Sequence, residues 1–452
     1  MDFLKLVKEN KENLLKDLVT LLQMDTVGKE QLHVKEAPFG ENVRDALLYM
    51  LRLGEKEGFK TENIDNVAGH IEYGEGEEII GVLCHLDVVP AGDGWTYPPF
   101  GGTIVDGKIY ARGALDDKGP AMSSFYALKI LKDAGVKLNK RVRLILGTDE
   151  ESGMRCVKRY LEVCKMPDLG FSPDANFPLI YGEKGIMSID LLSEEKESFS
   201  LTSGERYNVV PDSASVKINQ DLKEEFTKYL ETHKFQGEIK ESEYKLFGVS
   251  SHAMEPEKGV NALINLSIFL SKYTSNNLVR FIAEKLNDTR FKTLKLDFSD
   301  SEMKDLTVNV AFARIDENGG KVGLNLRYPI NWDKDTFLDK FSKEAENYGI
   351  KVVVKEDSNP HFVDRNSKLV RTLHDAYIKY TGDDKTKLMT IGGGTYARTL
   401  GNAVAFGMLM PGREDVVHKR DEYIYIDDLI TSIAIYAEAI YKLGTKNETK
   451  EN

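Results

Sequence analysis

Short apolar runs alternate with helical patterns over the first part of the chain. Glu41–Lys56 has the three- and four-residue apolar spacing of a helix, and Pro120–Asp133 is predicted to be helical, with Gly119 and Pro120 at its start. Ile79–Cys84 and Val142–Leu146 are brief, continuous apolar runs, which are typical of strands buried on both faces. The alternation predicts an α/β fold class, with a mostly parallel sheet covered by helices.

The pattern changes near Gly182, and charged helices with period-2 strands follow to about Asn359. Two segments repeat the order strand, helix, strand. The first is SVKI, LKEEFTKYLETH and YKLFGV, and the second is VGLNLRY, DTFLDKFSKEAENYG and IKVVVKED. We therefore expect an α+β lid domain made of two similar halves and inserted into the first domain.

After this insertion, the chain is predicted to return to the first sheet. The returning elements are the helix Ser367–Tyr380, the strand Ala403–Met408 and the helix Asp427–Leu443. The predicted division is a catalytic domain from residues 1–183 and 359–452, with the lid domain at 184–358.

The composition is that of a soluble globular protein, with 452 residues, 41% hydrophobic and 30% charged, enough for two or three domains. A formal net charge of −12 argues against nucleic acid or an anionic membrane as the main partner. The sequence contains no apolar run near the ~18 residues that span a bilayer, and its N-terminal segment mixes Lys and Glu, unlike a signal peptide. A cytoplasmic enzyme is expected.

Three cysteines are too few for a disulfide framework or a thiolate zinc site. Cys84 lies beside His85, but strand alternation points the two side chains apart. We predict that Cys84 is a core residue.

Acidic and imidazole side chains follow the apolar runs, where ligands of open α/β sheets bind. They are His85, Asp87, Asp116, Asp117, Glu150, Glu151, Asp174 and His418. Two histidines with several carboxylates predict a two-metal hydrolase site. Oxygen and imidazole ligands suit Zn²⁺, Mn²⁺ or Co²⁺. The general order of affinity among these ions does not identify which of them binds here.

Each motif alone has a simpler interpretation. His85 and Asp87 face the same side of an extended segment, so the carboxylate can hold the imidazole, or the two can form an ordinary turn. Asp116 is a candidate to bridge two cations, or it caps a helix together with Asp117. Glu150 and Glu151 diverge on a turn, so one can bind metal while the other accepts a proton from water, or both are exposed loop acids.

Five motifs in order carry a resemblance to a known family. They are HLDVVPAGDGW, YARGALDDKGP, GTDEESG, SPDANFP and GVSSHAMEPEKGVNA. Together they resemble the di-zinc metallopeptidase family of carboxypeptidase G, aminoacylase, succinyl-diaminopimelate desuccinylase and carnosinase, most of all its PepV-type bacterial dipeptidases. The resemblance covers nearly the whole chain.

The resemblance implies two divalent cations, Zn²⁺ or Mn²⁺, and a role for each residue around them. Asp116 would bridge the two metals. The outer ligands would be His85 and Asp174 for one metal, and Glu151 and His418 for the other. Asp87 would orient His85, and Glu150 would be the general base. A cis peptide bond is implied between Asp116 and Asp117.

The resemblance also implies substrate contacts from the lid. His252 would polarise the scissile carbonyl, and because the lid is doubled this histidine would come from the same chain, which suggests a monomer. Arg327 would bind the substrate carboxylate, although a surface arginine is the simpler interpretation. Asn208 and the N–H groups of Gly393 and Gly394 are further candidates, the glycines otherwise forming a plain turn.

The resulting hypothesis is a metal-dependent dipeptidase that acts on short peptides with free termini, using a bridging water activated by Glu150, with the substrate between the two domains. One alternative is an N-acyl-amino-acid deacylase of the same family. Another, from a different class, is a non-catalytic metal- or peptide-binding protein.

Overall fold

The computed structural model describes residues 1–445 and separates them into two compact units. The first unit comprises Met1–Tyr181, Val363–Met389 and the described residues from Thr395 onward. The second comprises Gly182–Phe362 and Thr390–Gly394. The triple-glycine turn thus belongs to the second unit, although it lies in the predicted segment 359–452. Residues 446–452 of that segment are outside the described residues.

A mixed β-sheet forms the centre of the first unit. Its middle strands run parallel, in the spatial order Arg141–Gly147, Ile79–His85, Leu169–Ser172 and Ala403–Ala405. Antiparallel strands flank them, with Ala68–Tyr73 and Lys60–Ile64 on one side and Ile180–Glu183 on the other. The predicted α/β class with a parallel centre is confirmed, and the antiparallel flanks are additions that the apolar runs did not indicate.

The middle strands are apolar because helices cover them. Every residue of Ile79–His85 is buried, which agrees with its continuous apolar run. The helices Lys118–Asp133 and Ile426–Gly444 pack on each other and on these strands. Glu41–Lys56 packs against the antiparallel flank at Ala68–Tyr73.

The predicted elements of the first unit are found with small shifts. The helix Lys118–Asp133 begins before Pro120, and Lys368–Thr381 begins after Ser367, whose hydroxyl accepts a hydrogen bond from the N–H of Val370. The predicted strand Ala403–Met408 is divided into Ala403–Ala405 and Met408–Leu409. The other helices are Phe3–Glu9, Lys11–Leu22 and Arg155–Val163, and the other strands are Thr103–Val105, Lys108–Tyr110, Ala175–Asn176 and Tyr423–Tyr425.

The second unit is built on an eight-stranded antiparallel sheet. In spatial order its strands are Gln236–Lys240, Glu243–Phe247, Ser213–Lys217, Ser200–Ser203, Thr307–Asp316, Gly319–Tyr328, Gly185–Ser193 and Lys351–Ser358. Its helices are Lys223–His233, Ala262–Leu270, Asn277–Lys285 and Lys334–Glu346. Ser299–Asp300 and Lys304–Asp305 form a separate short pair, whereas His361–Phe362 and Met389–Ile391 are short strands of the mixed sheet described above, where both pair with Ile180–Glu183.

The sheet order divides this unit into two four-stranded halves that meet where Ser200–Ser203 pairs with Thr307–Asp316. In each half a strand leads into a helix and then into the outermost strand of the sheet. The predicted repeat is therefore present, with one correction. The strand that follows the helix Lys223–His233 is Gln236–Lys240, and the predicted YKLFGV segment is the next strand inward. The pattern of apolar residues did not predict Gln236–Lys240, because an exposed edge strand carries mostly polar residues.

Among the helices of the described chain, the structure contains none that is both long and apolar enough to cross a membrane.

Candidate active site

The first group of predicted metal ligands lies at the carboxyl ends of the parallel strands. His85 ends its strand, and Asp174 follows Leu169–Ser172. The buried imidazole Nε2 of His85 is 3.0 Å from Oδ1 of Asp116 and 3.7 Å from Oδ2 of Asp174. Ligand atoms of these three residues all lie within 4.8 Å of one another, which is close enough for one cation to contact all three.

The second group shares Asp116 with the first. Oδ2 of Asp116 is 2.9 Å from Nε2 of His418, and the same nitrogen is 3.1 Å from Oε1 of Glu151. The two oxygens of Asp116 thus face different groups, an arrangement that a carboxylate needs to bridge two cations. The peptide bond between Asp116 and Asp117 is cis, as the resemblance implies.

Asp87 connects the histidine to the acidic turn, in a way that differs from the expectation. Nδ1 of His85 is 3.0 Å from the main-chain carbonyl oxygen of Asp87 and 3.5 Å from its carboxylate. The carboxylate instead accepts hydrogen bonds from the N–H groups of Glu150 and Glu151, at 3.1 and 3.0 Å. Asp87 therefore fixes the imidazole with its backbone and the Glu150–Glu151 turn with its side chain.

The electrostatics of both groups favour positive charge. Hydrogen bonds that Asp116 and Glu151 accept from His418 raise the pKa of this histidine to about 10. Burial opposes charge on Asp116, yet hydrogen bonds from His418 and His85 hold its pKa below the usual range. Burial raises the pKa of Asp174 well above its usual value, and the charge of Asp116 adds to this. Several carboxylates held together in a desolvated site are costly without cations, so the donor set fits two divalent ions.

Glu150 lies beside the proposed ligand Glu151 without belonging to either ligand group. Burial raises the pKa of Glu150 to about 7, and the charges of Glu151, Asp116 and Asp87 act in the same direction while His85 opposes them. A carboxylate in such surroundings retains its proton more readily than one in water.

A buried ion pair that the sequence did not reveal supports these loops. Oε1 of Glu422 accepts hydrogen bonds from the N–H groups of Gly113, Leu115 and Asp116, at 3.1, 2.9 and 3.1 Å. Its Oε2 accepts one from Arg112 at 2.6 Å, and both side chains are at most 1% exposed.

The guanidinium of Arg112 extends this network to two further loops. It donates to the carbonyl oxygens of His418 at 3.3 Å and Lys419 at 3.2 Å, and to those of Pro90 and Ala91 at 3.5 and 3.4 Å. The pair thus ties the backbone of two proposed ligands, Asp116 and His418, to the loop that follows Asp87. The YARGALDDKGP motif contained Arg112, but no spacing rule linked it to Glu422. Asp117 was expected only as a helix cap, whereas its Oδ2 accepts from the N–H of His85 at 2.9 Å.

The predicted substrate-contacting residues lie in the second unit, where several are neighbours. Nδ1 of His252 accepts a hydrogen bond from the N–H of Met254 at 3.1 Å, so the neutral ring carries its proton on Nε2. Partial desolvation and the charge of Arg327 lower the pKa of His252, which favours this neutral donor form. The exposed Asn208 accepts from the N–H of Ala253 at 3.0 Å through its main-chain oxygen, so it lies next to the His252 loop.

Arg327 is buried at the end of Gly319–Tyr328 and contacts the glycine turn. Its Nε donates to Oδ1 of Asn325 at 2.8 Å, and its Nη1 donates to the carbonyl oxygen of Gly392 at 3.1 Å. A Cβ at Gly392 would lie 2.9 Å from Cβ of Met254, so glycine is needed for this close approach. The second unit therefore gathers Arg327, the His252 loop and the turn that contains Gly393 and Gly394.

Comparisons with known proteins agree with this fold. The family model of Peptidase family M20/M25/M40 matches residues 81–442. "Putative dipeptidase YtjP" of Bacillus subtilis (strain 168) is 46% identical over 460 residues, covering 97% of this chain and 98% of that protein. Among solved structures, human carnosine dipeptidase 1 aligns with a TM-score of 0.60 at 14% identity, covering 98% of both chains. The dipeptidase Dug1p from Saccharomyces cerevisiae aligns with a TM-score of 0.58 at 15% identity, again covering 98% of both chains.

The fold and its paired donor groups are those of an α/β protein whose site fits two divalent cations. The family match and the relative from Bacillus subtilis make the assignment specific: the chain belongs to Peptidase family M20/M25/M40. It is therefore a metal-dependent peptidase. The two structural alignments, at 14% and 15% identity, support the fold alone.

Proposed function

We propose that this peptidase is a dipeptidase that binds two divalent cations. The observation that carries the proposal is the position of Asp116, whose two oxygens face His85 on one side and His418 on the other at 3.0 and 2.9 Å. The dipeptidase designation of the relative with 46% identity supports this substrate class.

The two donor groups would hold one cation each, with Asp116 shared. His85 and Asp174 would complete the first group, and Glu151 and His418 the second. When bound, two such cations supply Lewis-acid chemistry, which polarises a carbonyl group and lowers the pKa of water towards neutrality. Zn²⁺ and Mn²⁺ both suit these ligands.

Glu150 would act as the general base. The hydrogen bonds of Asp87 to the N–H groups of Glu150 and Glu151 hold the two side chains on one rigid turn. Glu151 would be committed to a cation, whereas Glu150 would accept a proton from the attacking water and return it to the leaving amine. The two adjacent acids would thus have different roles, Glu151 as a metal ligand and Glu150 as the general base.

The second unit would supply the substrate contacts. His252, neutral and protonated on Nε2, would donate a hydrogen bond to the oxygen of the scissile carbonyl as negative charge develops. Arg327 would bind the C-terminal carboxylate of the peptide, with Asn208 and the N–H groups of Gly393 and Gly394 as further contacts. An acid near the cations such as Asp174 would hold the free N-terminus, and recognition of both peptide ends would restrict cleavage to short substrates.

The decisive experiment is metal reconstitution followed by a substrate screen. Apo-protein is loaded with Zn²⁺ or Mn²⁺ and assayed on dipeptides, tripeptides and N-acyl-amino acids. We expect hydrolysis of dipeptides with free termini and little turnover of the other two classes. Preferential hydrolysis of N-acyl-amino acids would reject the dipeptidase proposal in favour of a deacylase.

A pair of neighbouring variants tests the assignment of the two acids. Glu150→Gln is expected to bind two metals per chain and to lose at least ~10²-fold in kcat, the usual scale of general-base loss. Glu151→Gln is expected to lose metal affinity instead. Near-normal turnover in Glu150→Gln would remove that residue from the mechanism.

A further inference from the structure

A third cluster of metal-ligating side chains lies on the flank of the sheet in the first unit. Glu62 and His70 are opposite each other on the antiparallel strands Lys60–Ile64 and Ala68–Tyr73. Oε2 of Glu62 is 3.7 Å from Nε2 of His70. Cys164 directly follows the helix Arg155–Val163, and ligand atoms of the three residues all lie within 4.8 Å of one another.

We propose that Glu62, His70 and Cys164 form a binding site for a thiophilic divalent cation such as Zn²⁺. An imidazole nitrogen, a carboxylate oxygen and a single sulfur are all ligands that Zn²⁺ accepts in proteins. They come from three separate backbone segments, so a bound ion would connect the edge strand of the sheet to the end of a helix.

The imidazole of His70 is oriented as a metal ligand needs to be. Its Nδ1 is 3.1 Å from the hydroxyl of Tyr160, and its Nε2 faces Glu62. The hydroxyl can accept from Nδ1–H, which would hold the ring with Nε2 unprotonated, as in a ligating histidine whose far N–H donates to an acceptor. Burial and the charge of Arg143 lower the pKa of His70 to about 4, so the ring is neutral at neutral pH. The neutral imidazole is the form that binds metals.

The surroundings of the cluster can balance the charge of a bound ion and let it enter from solvent. Arg143 lies nearby and its Nε donates to Oε2 of the buried Glu72 at 2.6 Å, so the negative charge of Glu72 offsets part of the effect of Arg143 at His70. The carboxylate of Glu62 with a Cys164 thiolate would balance a divalent cation. The side chain of Glu62 is 52% exposed, so the cluster opens to solvent.

The cluster is separate from the proposed catalytic ligands. The strand Ala68–Tyr73, which carries His70, pairs with Arg141–Gly147. The strand Arg141–Gly147 in turn separates it from the strand that ends at His85. None of the five proposed catalytic ligands is a cysteine. Coordination by sulfur would therefore report on this cluster alone, whichever metals the catalytic groups hold.

Cobalt absorption gives a direct test with the full-length, reduced apo-protein and Co²⁺ alone. Ligation by Cys164 is expected to produce a near-ultraviolet thiolate-to-cobalt charge-transfer band whose final intensity corresponds to one thiolate-bound ion per chain, whatever Co²⁺ the two catalytic groups also bind. The band should strengthen as pH rises, because binding displaces the thiol proton. Cys164→Ser should lack the band, and the control Cys156→Ser, which alters a buried cysteine elsewhere, should retain it.

A second variant keeps the test decisive if Cys164→Ser folds poorly. Glu62→Gln changes a half-exposed side chain and should weaken Co²⁺ affinity at the thiolate band by at least about ten-fold, since even indirect partners of metal ligands contribute that much. Absence of the band from the unmodified protein would overturn the site, as would an equal band in Cys164→Ser. An unchanged affinity in Glu62→Gln would likewise contradict the three-ligand cluster.

Discussion

Replacement of Glu422 by alanine is expected to damage both stability and catalysis, although Glu422 belongs to neither proposed ligand group. The substitution removes the acceptor of three N–H groups, those of Gly113, Leu115 and Asp116. It also leaves the guanidinium of Arg112 without its carboxylate partner at 2.6 Å. Because Arg112 is 1% exposed, water cannot replace that partner without a structural change.

The size of the stability effect follows from the loss of one member of a buried pair. Such a loss typically costs about 3–5 kcal/mol, because an uncompensated charge stays buried. This is a large fraction of the roughly 5–15 kcal/mol that stabilises a folded protein. Glu422→Gln keeps an oxygen that can accept from the N–H groups, although its amide donor faces Arg112. Its loss of unfolding free energy should therefore be smaller than that of Glu422→Ala.

The effect on catalysis follows from the loops that the pair connects. Arg112 contacts the carbonyl oxygens of His418 and Lys419, and Glu422 contacts the N–H of Asp116. A shift of about 1 Å in catalytic groups can cost ~10²-fold in rate, so we expect at least that loss in kcat/KM. The loss should be accompanied by weaker metal binding, measured by dialysis against limiting Zn²⁺ and metal analysis.

A matched control separates the two effects. Glu72 is buried and pairs with Arg143 at 2.6 Å, away from the proposed catalytic ligands. Urea denaturation of Glu72→Ala and Glu422→Ala, both as apo-protein, should give similar losses of unfolding free energy, while only Glu422→Ala weakens metal binding by the two proposed catalytic groups. A loss below about 1 kcal/mol in Glu422→Ala, or normal metal binding and kcat/KM in the folded variant, would refute the reasoning.

Three further predictions concern other parts of the molecule. Arg327→Lys should raise KM for dipeptides at least ~10-fold, because lysine cannot form a bidentate pair with a carboxylate. The ratio of kcat/KM for dipeptides to that for the corresponding C-terminal amides should fall as well, and an equal loss of kcat/KM on both substrates would contradict this. His252→Ala should lower kcat by about 10²-fold or more without changing metal stoichiometry, the scale of losing one oxyanion donor, and kinetics with metal analysis would check it. The pKa of His70 is lowered from 6.5 to about 4, so only the unfolded chain gains this proton between those pH values, and stability should fall as pH decreases through that window. At about 1.4 kcal/mol per pKa unit, the free energy of unfolding should fall by about 3 kcal/mol more in the unmodified protein than in His70→Asn. Denaturation in the presence of a chelator measures this difference, and equal pH dependence in the two proteins would disprove it.

The sequence predicted those parts of the fold that leave a strong local pattern. Apolar runs indicated three of the four middle strands, all except Leu169–Ser172, and the helix at Glu41–Lys56 has the predicted bounds. The strand Gln236–Lys240 was overlooked because its exposed positions are all polar and its inner face carries a single apolar side chain, that of Ile239. The membership of Gly393 and Gly394 in the second unit was not visible either, because it depends on contacts between distant segments, such as that of Arg327 with Gly392.

The candidate site shows the same limit at the level of single hydrogen bonds. Position after a strand was enough to nominate His85, Glu151 and Asp174, because parallel strands deliver such residues to one edge of a sheet. Position did not reveal that Asp87 holds His85 through its carbonyl oxygen and the acidic turn through its carboxylate.

The buried Arg112–Glu422 pair explains why so many polar groups can converge at one edge of the sheet. The loops that carry Asp116 and His418 contain few residues in regular structure, so local hydrogen bonds alone do not fix them. A carboxylate that accepts four hydrogen bonds, three of them from one loop, fixes that loop at several points at once. Its guanidinium partner then fixes the second loop through carbonyl oxygens, using donors that point in several directions from one plane. The positions of the proposed ligands therefore depend on a pair that itself contacts no cation, and this is why variants of Glu422 test the site as directly as variants of the ligands.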